Sequence, residues 1–158
     1  MLLSVVILLS VLVDPTPCEI IETTITGDSM QGILFDGQHI TVHTTACGGF
    51  QRYDHVLFTH DETSNAVVKQ LWGMPGDIVE VKKNGSFTIN GVKVLTPFKK
   101  TYVLLGAYKT RMKKLAGRPL EGYMLLGHPG SLDSVRVGLI PEENIIGFVK
   151  RDEPHIEN

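Results

Sequence analysis

A serine and a lysine are the residues of this chain whose types could do chemistry together. Ser29 lies in the small-residue stretch Gly27-Asp28-Ser29-Met30, and Lys69 lies in an apolar run that begins at Val67. A serine hydroxyl is a poor nucleophile until a neighbouring base takes its proton. Lysine serves as that base in a known variant of the catalytic triad. The two residues are too far apart in sequence for local pairing, so only the fold could bring them together.

Lys69 is the candidate base. Read as a strand, alternate residues share a face, so Val67, Lys69 and Leu71 point the same way. A lysine buried on such a face loses its hydration, which lowers its pKa towards the working pH. The alternative is a lysine that lays its stem on apolar surface and sends its ammonium to water, and Lys69 taken alone favours that alternative.

Four motifs follow one another along the chain and together resemble the type I signal peptidase family. These enzymes are membrane-anchored Ser–Lys endopeptidases that remove secretory signal peptides, and the resemblance covers nearly the whole chain. The motifs are Gly27-Asp28-Ser29-Met30, then Tyr53-Asp54-His55-Val56-Leu57-Phe58, then Val68 to Val79 with its Pro75-Gly76-Asp77 turn, then Leu126-Gly127 through Ser131-Leu132-Asp133-Ser134 to Gly147.

The resemblance implies a role for each matching residue. Ser29 is the nucleophile that forms an acyl-enzyme, and Lys69 is the general base that later activates the deacylating water. Gly27 and Ser29 belong to the nucleophile loop, where the Ser29 amide is the expected oxyanion donor. Many relatives add a serine hydroxyl at the position of Gly27, and this chain has no side chain there.

Ser131 and Asp133 match the polar residues that position the lysine in the family. A hydroxyl can orient a neutral amine without charging it. Asp133 is expected to make a structural contact with Arg136, although relatives place the arginine two residues after the aspartate rather than three. The resemblance implies neither a metal nor a cofactor.

His128 offers an alternative, because with Ser29 and Asp133 it could build a Ser–His–Asp site. The stretch around Ser29 disfavours this, since Gln31 stands where a nucleophile elbow has its second glycine. His128 is also a departure from the family, which usually has Asp-Asn after the glycine that matches Gly127.

Composition predicts one globular domain: 158 residues, 42% hydrophobic and 20% charged. A net charge of −2 argues against a general nucleic-acid binder. Seven of the fifteen basic residues fall between 99 and 118, which holds no acid, so we interpret 97–120 as a basic insertion. It is either a solvated face or a contact with anionic lipid head groups.

Cys18 and Cys47 form neither a disulfide framework nor a metal site by their number and spacing. We interpret both as plain structural residues. A single disulfide between them would require an oxidising compartment.

Residues 1–14 are almost entirely apolar, and we interpret them as a membrane anchor that is short or truncated. Residues 2–13 would reach about 18 Å as a helix, against a hydrocarbon core of about 30 Å. A signal-peptide core and a buried terminal segment are the alternatives. The resemblance implies a single-pass membrane protein with its catalytic domain on the extracytoplasmic face, and favours the bacterial plasma membrane over the mitochondrial inner membrane.

Residues 15–158 show short β-like periodicity and few helix signals. We expect a mostly β fold, a signal-peptidase-like antiparallel β-sheet domain behind the N-terminal apolar segment. Turns are predicted at Asn84-Gly85 and Asn90-Gly91. The strands are expected near Ile20–Thr26, Gln38–His43, His55–Phe58, Val67–Leu71, Asp77–Lys82, Phe87–Ile89, Tyr102–Leu105, Tyr123–Leu126 and Ile145–Lys150, the last of which should close the sheet.

The leading functional hypothesis is a serine endopeptidase that cleaves preproteins after small-x-small sequences, with the substrate added as a strand to a sheet edge. Its partners would be preprotein signal peptides and membrane lipids, and not nucleic acid. The alternatives are a conjugation or pilin-processing peptidase on the same scaffold, a self-cleaving regulator with a DNA-binding partner domain, and a non-catalytic β binding domain.

Overall fold

The computed structural model describes residues 16–150, which form nine short strands in two sheets and confirm a mostly β, antiparallel fold. The strands are β1 (Ile20–Thr24), β2 (His39–Thr44), β3 (His55–Phe58), β4 (Val67–Gly73), β5 (Val79–Val81), β6 (Phe87–Ile89), β7 (Val92–Lys93), β8 (Met124–Leu126) and β9 (Ile145–Val149). The helices are α1 (Gly106–Leu115) and α2 (Ser134–Val137), with 3₁₀ turns at Thr45–Cys47 and Glu142–Asn144. No helix within 16–150 is long and apolar enough to cross a membrane. The predicted anchor at 1–14 lies outside the described residues.

The larger sheet has the strand order β1-β2-β9-β3-β4-β8, and the smaller one has β5-β6-β7. The prediction that the last strand closes the sheet is wrong, because β9 lies in its interior between β2 and β3. Phe148 pairs with His43 on one side of β9, and Gly147 pairs with Leu57 on the other. The C-terminal strand therefore joins the β1–β2 hairpin to the β3–β4 hairpin.

Both predicted tight turns are confirmed. Asn84-Gly85 connects β5 to β6, and Asn90-Gly91 connects β6 to β7. Gly85 has φ +86°, and a Cβ there would lie 2.3 Å from the Leu104 carbonyl oxygen. This position therefore requires glycine both for its backbone angle and for the close approach of the 102–105 segment.

The 97–120 segment differs most from expectation. The strand predicted at Tyr102–Leu105 is wrong, because the segment pairs only through isolated bridges such as Ser86 with Val103. Helix α1 follows it and was not predicted. The helix has no side-chain cap at Leu105 and buries only Met112, so its sequence lacks both a start signal and a marked apolar stripe.

Cys18 and Cys47 form a disulfide with a Cα–Cα distance of 4.4 Å, so their interpretation as plain structural residues is wrong. The register of the β1–β2 hairpin explains the pairing. Ile20 lies opposite His43, which brings the residues before β1 to the same end as those after β2. The bridge therefore ties together the open end of this hairpin.

Apolar side chains fix the two segments that carry the candidate nucleophile and base. Met30, next to Ser29, is buried in a cluster with Leu34 and Val42. Leu71, two residues after Lys69, is fully buried in a second cluster with Val56. Both segments are thus anchored by the core.

Candidate active site

Ser29 and Lys69 meet in the fold. Lys69 Nζ lies 2.6 Å from Ser29 Oγ and 3.0 Å from the Val68 carbonyl oxygen, to which it donates a hydrogen bond. Lys69 is only 1% exposed. The alternative of a lysine that extends its ammonium to water is therefore wrong.

The strand pairing and one glycine place the lysine. Lys69 lies on β4 opposite Val56 of β3, so its stem runs through an apolar environment. Gly127, just after β8, leaves room for that stem. A Cβ at Gly127 would lie 2.7 Å from Lys69 Cδ and 2.7 Å from the Ser29 carbonyl oxygen. Because both distances are shorter than van der Waals contact, a side chain at 127 would displace either the base or the nucleophile loop.

The nucleophile loop is held by hydrogen bonds at both of its ends. Gly27 has φ +91°, and its amide donates to Asp36 Oδ1 at 2.7 Å. The Ser29 carbonyl accepts a hydrogen bond from the His128 amide at 2.9 Å, which links the loop to the turn after β8. The Met30 carbonyl accepts from Leu34, which continues the turn. Ser29 is thus presented from a constrained turn.

Burial lowers the pKa of Lys69 from its ordinary value of 10.5 to about 8, and the charge of Asp133 opposes part of that shift. An ammonium in this position would donate a hydrogen bond to Ser29 Oγ. A neutral amine would instead accept the hydroxyl proton of Ser29. The second state is the one that a general base requires, and it becomes the major form just above pH 8.

Asp133 is 1% exposed and accepts hydrogen bonds from neutral groups. The Tyr102 hydroxyl donates at 2.9 Å, and the other donors are the backbone amides of Gly127, Val135 and Arg136. Burial raises the pKa of Asp133, and these hydrogen bonds offset part of the rise. Because two of the amides begin α2, the carboxylate also caps that helix.

The expected contact between Asp133 and Arg136 exists only through the Arg136 backbone amide. An ion pair between the two side chains is not formed, since Arg136 Nη2 lies 2.8 Å from Glu62 Oε2. The extra residue between aspartate and arginine places the guanidinium outside the buried turn.

Ser131 reaches the same site without bonding to the lysine. Its Oγ is buried and has no hydrogen-bond partner among the described residues. It lines one cleft together with Ser29 and Lys69. Of the predicted site residues, the structure therefore brings Ser29, Lys69, Ser131 and Asp133 together, with Gly27 at the start of the nucleophile loop.

His128 is near the site but does not complete a triad. Its Nε2 lies 2.8 Å from the Gln31 carbonyl oxygen, whereas the group against Ser29 Oγ is Lys69. The geometry thus favours a Ser–Lys pair over a Ser–His–Asp site. Within residues 16–150, no group of three or more histidine, cysteine and acidic side chains could hold a metal ion.

Sequence reasoning missed Tyr102 and Arg52. Tyr102 shares an inward face with Leu104, so the alternation of this segment was a usable signal of burial. Arg52 donates two hydrogen bonds to Asp77, at 2.7 and 3.0 Å. No local pattern joins Arg52 to the Pro-Gly-Asp turn, because Arg52 lies in the turn before β3 and Asp77 lies after β4.

Comparisons with known proteins identify the family of this chain. The family model described as "Signal peptidase, peptidase S26" matches residues 1–151. Signal peptidase I of Bacillus amyloliquefaciens is 33% identical over 139 residues, covering 78% of this chain and 68% of the relative. Signal peptidase IB of Staphylococcus aureus (strain COL) is 32% identical over 142 residues, covering 80% of this chain and 73% of the relative. The chain therefore belongs to the signal peptidase family, peptidase S26.

Proposed function

We propose that this signal peptidase removes N-terminal signal peptides from secreted preproteins through an acyl-enzyme, with Ser29 as nucleophile and Lys69 as general base. The observation that carries the proposal is the 2.6 Å contact between Lys69 Nζ and Ser29 Oγ at a buried position. The neutral amine accepts the hydroxyl proton as Oγ attacks the scissile carbonyl. The resulting ammonium returns that proton to the leaving amine, and the neutral amine then activates water to hydrolyse the ester.

The Ser29 amide is the proposed oxyanion donor. It donates to no backbone carbonyl within residues 16–150, which leaves it available to a developing negative charge. The Gly27 amide is not equally available, because it already donates to Asp36. A second donor is therefore not assigned to Gly27.

Ser131 and Asp133 are proposed to position and tune the lysine rather than to react. The unpartnered Ser131 hydroxyl faces the cleft of the pair, where it can bond an amine that carries no charge. Asp133 acts through its charge and through its hydrogen bond to the Gly127 amide, the residue that packs against the Lys69 stem.

The segment preceding the scissile bond has a suitable cleft, which we call the signal-side cleft. It measures about 490 Å³ and is lined by the segment 23–27, which includes the end of β1, by the segment 63–68, which includes the start of β4, and by the apolar Ile40 and Leu57. An extended peptide could pair with such walls through its main chain. Shallow apolar space next to Ser29 suits small side chains.

The test is cleavage of a model preprotein by Ser29→Ala and Lys69→Ala, compared with Thr45→Ala and Lys93→Ala. The two control positions carry the same functional groups at sites away from the pair. The site variants should lose cleavage by at least about 10³-fold while keeping the wild-type circular dichroism, and the controls should stay within about twofold. Near wild-type cleavage by either site variant would refute the Ser–Lys assignment.

We further propose that the domain lies on the extracytoplasmic side of a membrane. The Cys18–Cys47 disulfide supports this, since such bonds persist in oxidising compartments. Leu105 is 71% exposed beside α1, which carries the exposed Lys113 and Lys114, and this combination suits an anionic lipid surface. Vesicles containing phosphatidylglycerol should bind the wild type more strongly than the Lys113→Glu, Lys114→Glu variant, and equal binding would contradict the lipid contact.

A further inference from the structure

Two clefts meet at Ser29. One is the signal-side cleft, and the other measures about 600 Å³ and lies beyond the nucleophile, with Asp28, Phe98 and His128 in its lining. Ser29 and Val67 line both clefts. A peptide chain that crosses the nucleophile would therefore run from one cleft into the other.

The secondary structure around each cleft indicates which end of the substrate lies in it. The signal-side cleft has a strand on each side, since Thr23 and Thr24 belong to β1 and Val67 and Val68 belong to β4. Strand backbone on both sides suits the strand-like residues of a substrate before the scissile bond. The second cleft has strand β4 on one side only, and the rest of its lining comes from Phe98 and from the turns at 28–31 and 128–132. The first residues of the mature protein, which lie after the scissile bond, therefore enter the second cleft, which we call the leaving-side cleft.

Phe98 gives the leaving-side cleft a fixed aromatic wall. Its ring lies against the nucleophile loop, since a Cβ on Gly32 would meet Phe98 Cδ1 at 2.8 Å. The ring centroid is 4.6 Å from that of His128, with the planes tilted by 41°. His128 is itself held to the Gln31 carbonyl. Although supported from behind in this way, Phe98 remains 53% exposed, so one part of its surface is open to a ligand.

We propose that Phe98, supported by His128, is a specificity-determining residue that binds an apolar side chain at the first or second position of the mature protein. This inference rests on the proposed function and extends it to the substrate beyond the cleaved bond. An apolar side chain would cover the exposed part of the ring and remove it from water. An acidic side chain would gain no such contact and would lie near the exposed Asp28 carboxylate.

The test uses peptide substrates that differ only in the first two residues after the cleavage site, with Gly, Phe or Asp at each position in turn. Wild type should cleave the better Phe substrate roughly tenfold faster in kcat/KM than its Gly counterpart, the usual discrimination by one apolar contact. The Asp substrates should be the slowest. Phe98→Ala should bring the ratio of Phe to Gly substrates to about one.

Phe35→Ala is the matched control, because Phe35 is also 53% exposed but lines neither cleft. It should keep the wild-type ratio. If Phe98→Ala fails to fold, Phe98→Leu replaces it and should lower the ratio without abolishing it. A ratio near one in the wild type, or a ratio that keeps its wild-type value in Phe98→Ala or Phe98→Leu, would overturn the inference.

Failure of this inference is distinguishable from failure of the Ser–Lys assignment. Ser29→Ala should cleave none of the peptides, whatever residue follows the cleavage site. If Ser29→Ala is inactive and the wild type cleaves the Phe and Gly substrates equally well, only the leaving-side assignment is wrong. If Ser29→Ala cleaves at the wild-type rate, the proposed function fails and the subsite fails with it.

Discussion

Two buried aspartates occupy turns that follow the neighbouring strands β4 and β8, and each accepts four hydrogen bonds. Asp77 accepts two from the Arg52 guanidinium, one from the Met74 amide and one from the Asn90 side chain. Asp133 accepts one from the Tyr102 hydroxyl and three from backbone amides. The two carboxylates are equally well bonded, but Asp77 bonds to a cation and Asp133 bonds to neutral groups alone.

This difference gives the two turns opposite electrostatics. Burial would raise the pKa of Asp77, but the hydrogen bonds from Arg52, Met74 and Asn90 outweigh it and lower that pKa. For Asp133 burial dominates, and the pKa is raised. The charge of Asp77 is balanced by the Arg52 guanidinium, whereas the charge of Asp133 acts on Lys69. The carboxylate of Asp77 has a cationic partner, and the carboxylate of Asp133, which has none, raises the pKa of the proposed base Lys69.

The largest expected effect comes from adding one methyl group to a glycine in each of the two turns. In Gly127→Ala the new Cβ would overlap Lys69 Cδ and the Ser29 carbonyl oxygen, so cleavage should fall by at least about 100-fold. In Gly76→Ala the Cβ meets nothing within 4 Å, and only the positive φ of +92° opposes it. That variant should lose about 1 kcal/mol of unfolding free energy and keep its activity.

Steady-state cleavage and urea unfolding of both glycine variants would check this pair. If Gly127→Ala cleaves like wild type, the lysine does not depend on the turn after β8. If Gly76→Ala loses activity while folded, the turn after β4 is more than a structural element.

The next effect concerns two cations, the buried Lys69 and the partly exposed Arg52. Between about pH 8 and 10.5 the unfolded chain holds a proton on Lys69 that the folded protein has released. The free energy of unfolding should therefore rise with pH across this range, by at most roughly 3 kcal/mol from this group. Lys69→Met should lack that rise, and Arg52→Met should retain it because Arg52 keeps its charge in both states.

Chemical denaturation at a series of pH values measures this slope directly. The difference between wild type and Lys69→Met isolates the contribution of the lysine from that of other groups that titrate in the range. Parallel curves for the two proteins would mean that Lys69 is not desolvated in the folded state.

The smallest effects come from neutralising each aspartate. Asp77→Asn leaves the Arg52 guanidinium without its partner and should cost about 1–3 kcal/mol, towards the lower value because the Arg52 side chain is 31% exposed. Asp133→Asn turns an amide donor towards groups that also donate, so it should cost a similar amount. The two variants should differ in their pH profiles.

Removing the charge of Asp133 removes a contribution that raises the pKa of Lys69, so the acidic limb of kcat/KM should move to lower pH in Asp133→Asn. The limb should stay in place in Asp77→Asn. A shift in the Asp77 variant, or none in the Asp133 variant, would remove the distinction between the two turns.

The sequence indicated the candidate site residues better than it indicated the hydrogen-bond partners of those residues. Four family motifs in order single out Ser29 and Lys69, although each residue taken alone favours a structural role. The alternation around Lys69 predicts its strand, which is confirmed as β4. The family resemblance predicts a contact between Asp133 and Arg136, which forms only through the Arg136 amide. The side-chain donor to Asp133 is Tyr102, thirty-one positions away, and only the folded chain places it there.

The same limit applies to the elements that the sequence predicted poorly. The Cys18–Cys47 bond depends on the register of β1 against β2, which no local pattern specifies. Helix α1 is stabilised by its packing through Met112 rather than by caps or a strong apolar stripe, so its own residues give a weak signal. Candidate reactive residues can be recognised from sequence motifs, whereas contacts between residues distant in the sequence cannot.

The most direct test of the central claim is the pH dependence of kcat/KM for cleavage of a model preprotein by the wild-type enzyme. Burial of Lys69 predicts that the rate rises through a single ionisation at about pH 8, where the free enzyme's base becomes neutral. An acidic limb near the ordinary lysine value of 10.5 would show that Lys69 is not desolvated. A limb near about 6.5, the usual value for histidine, would assign the base to another residue and contradict the account.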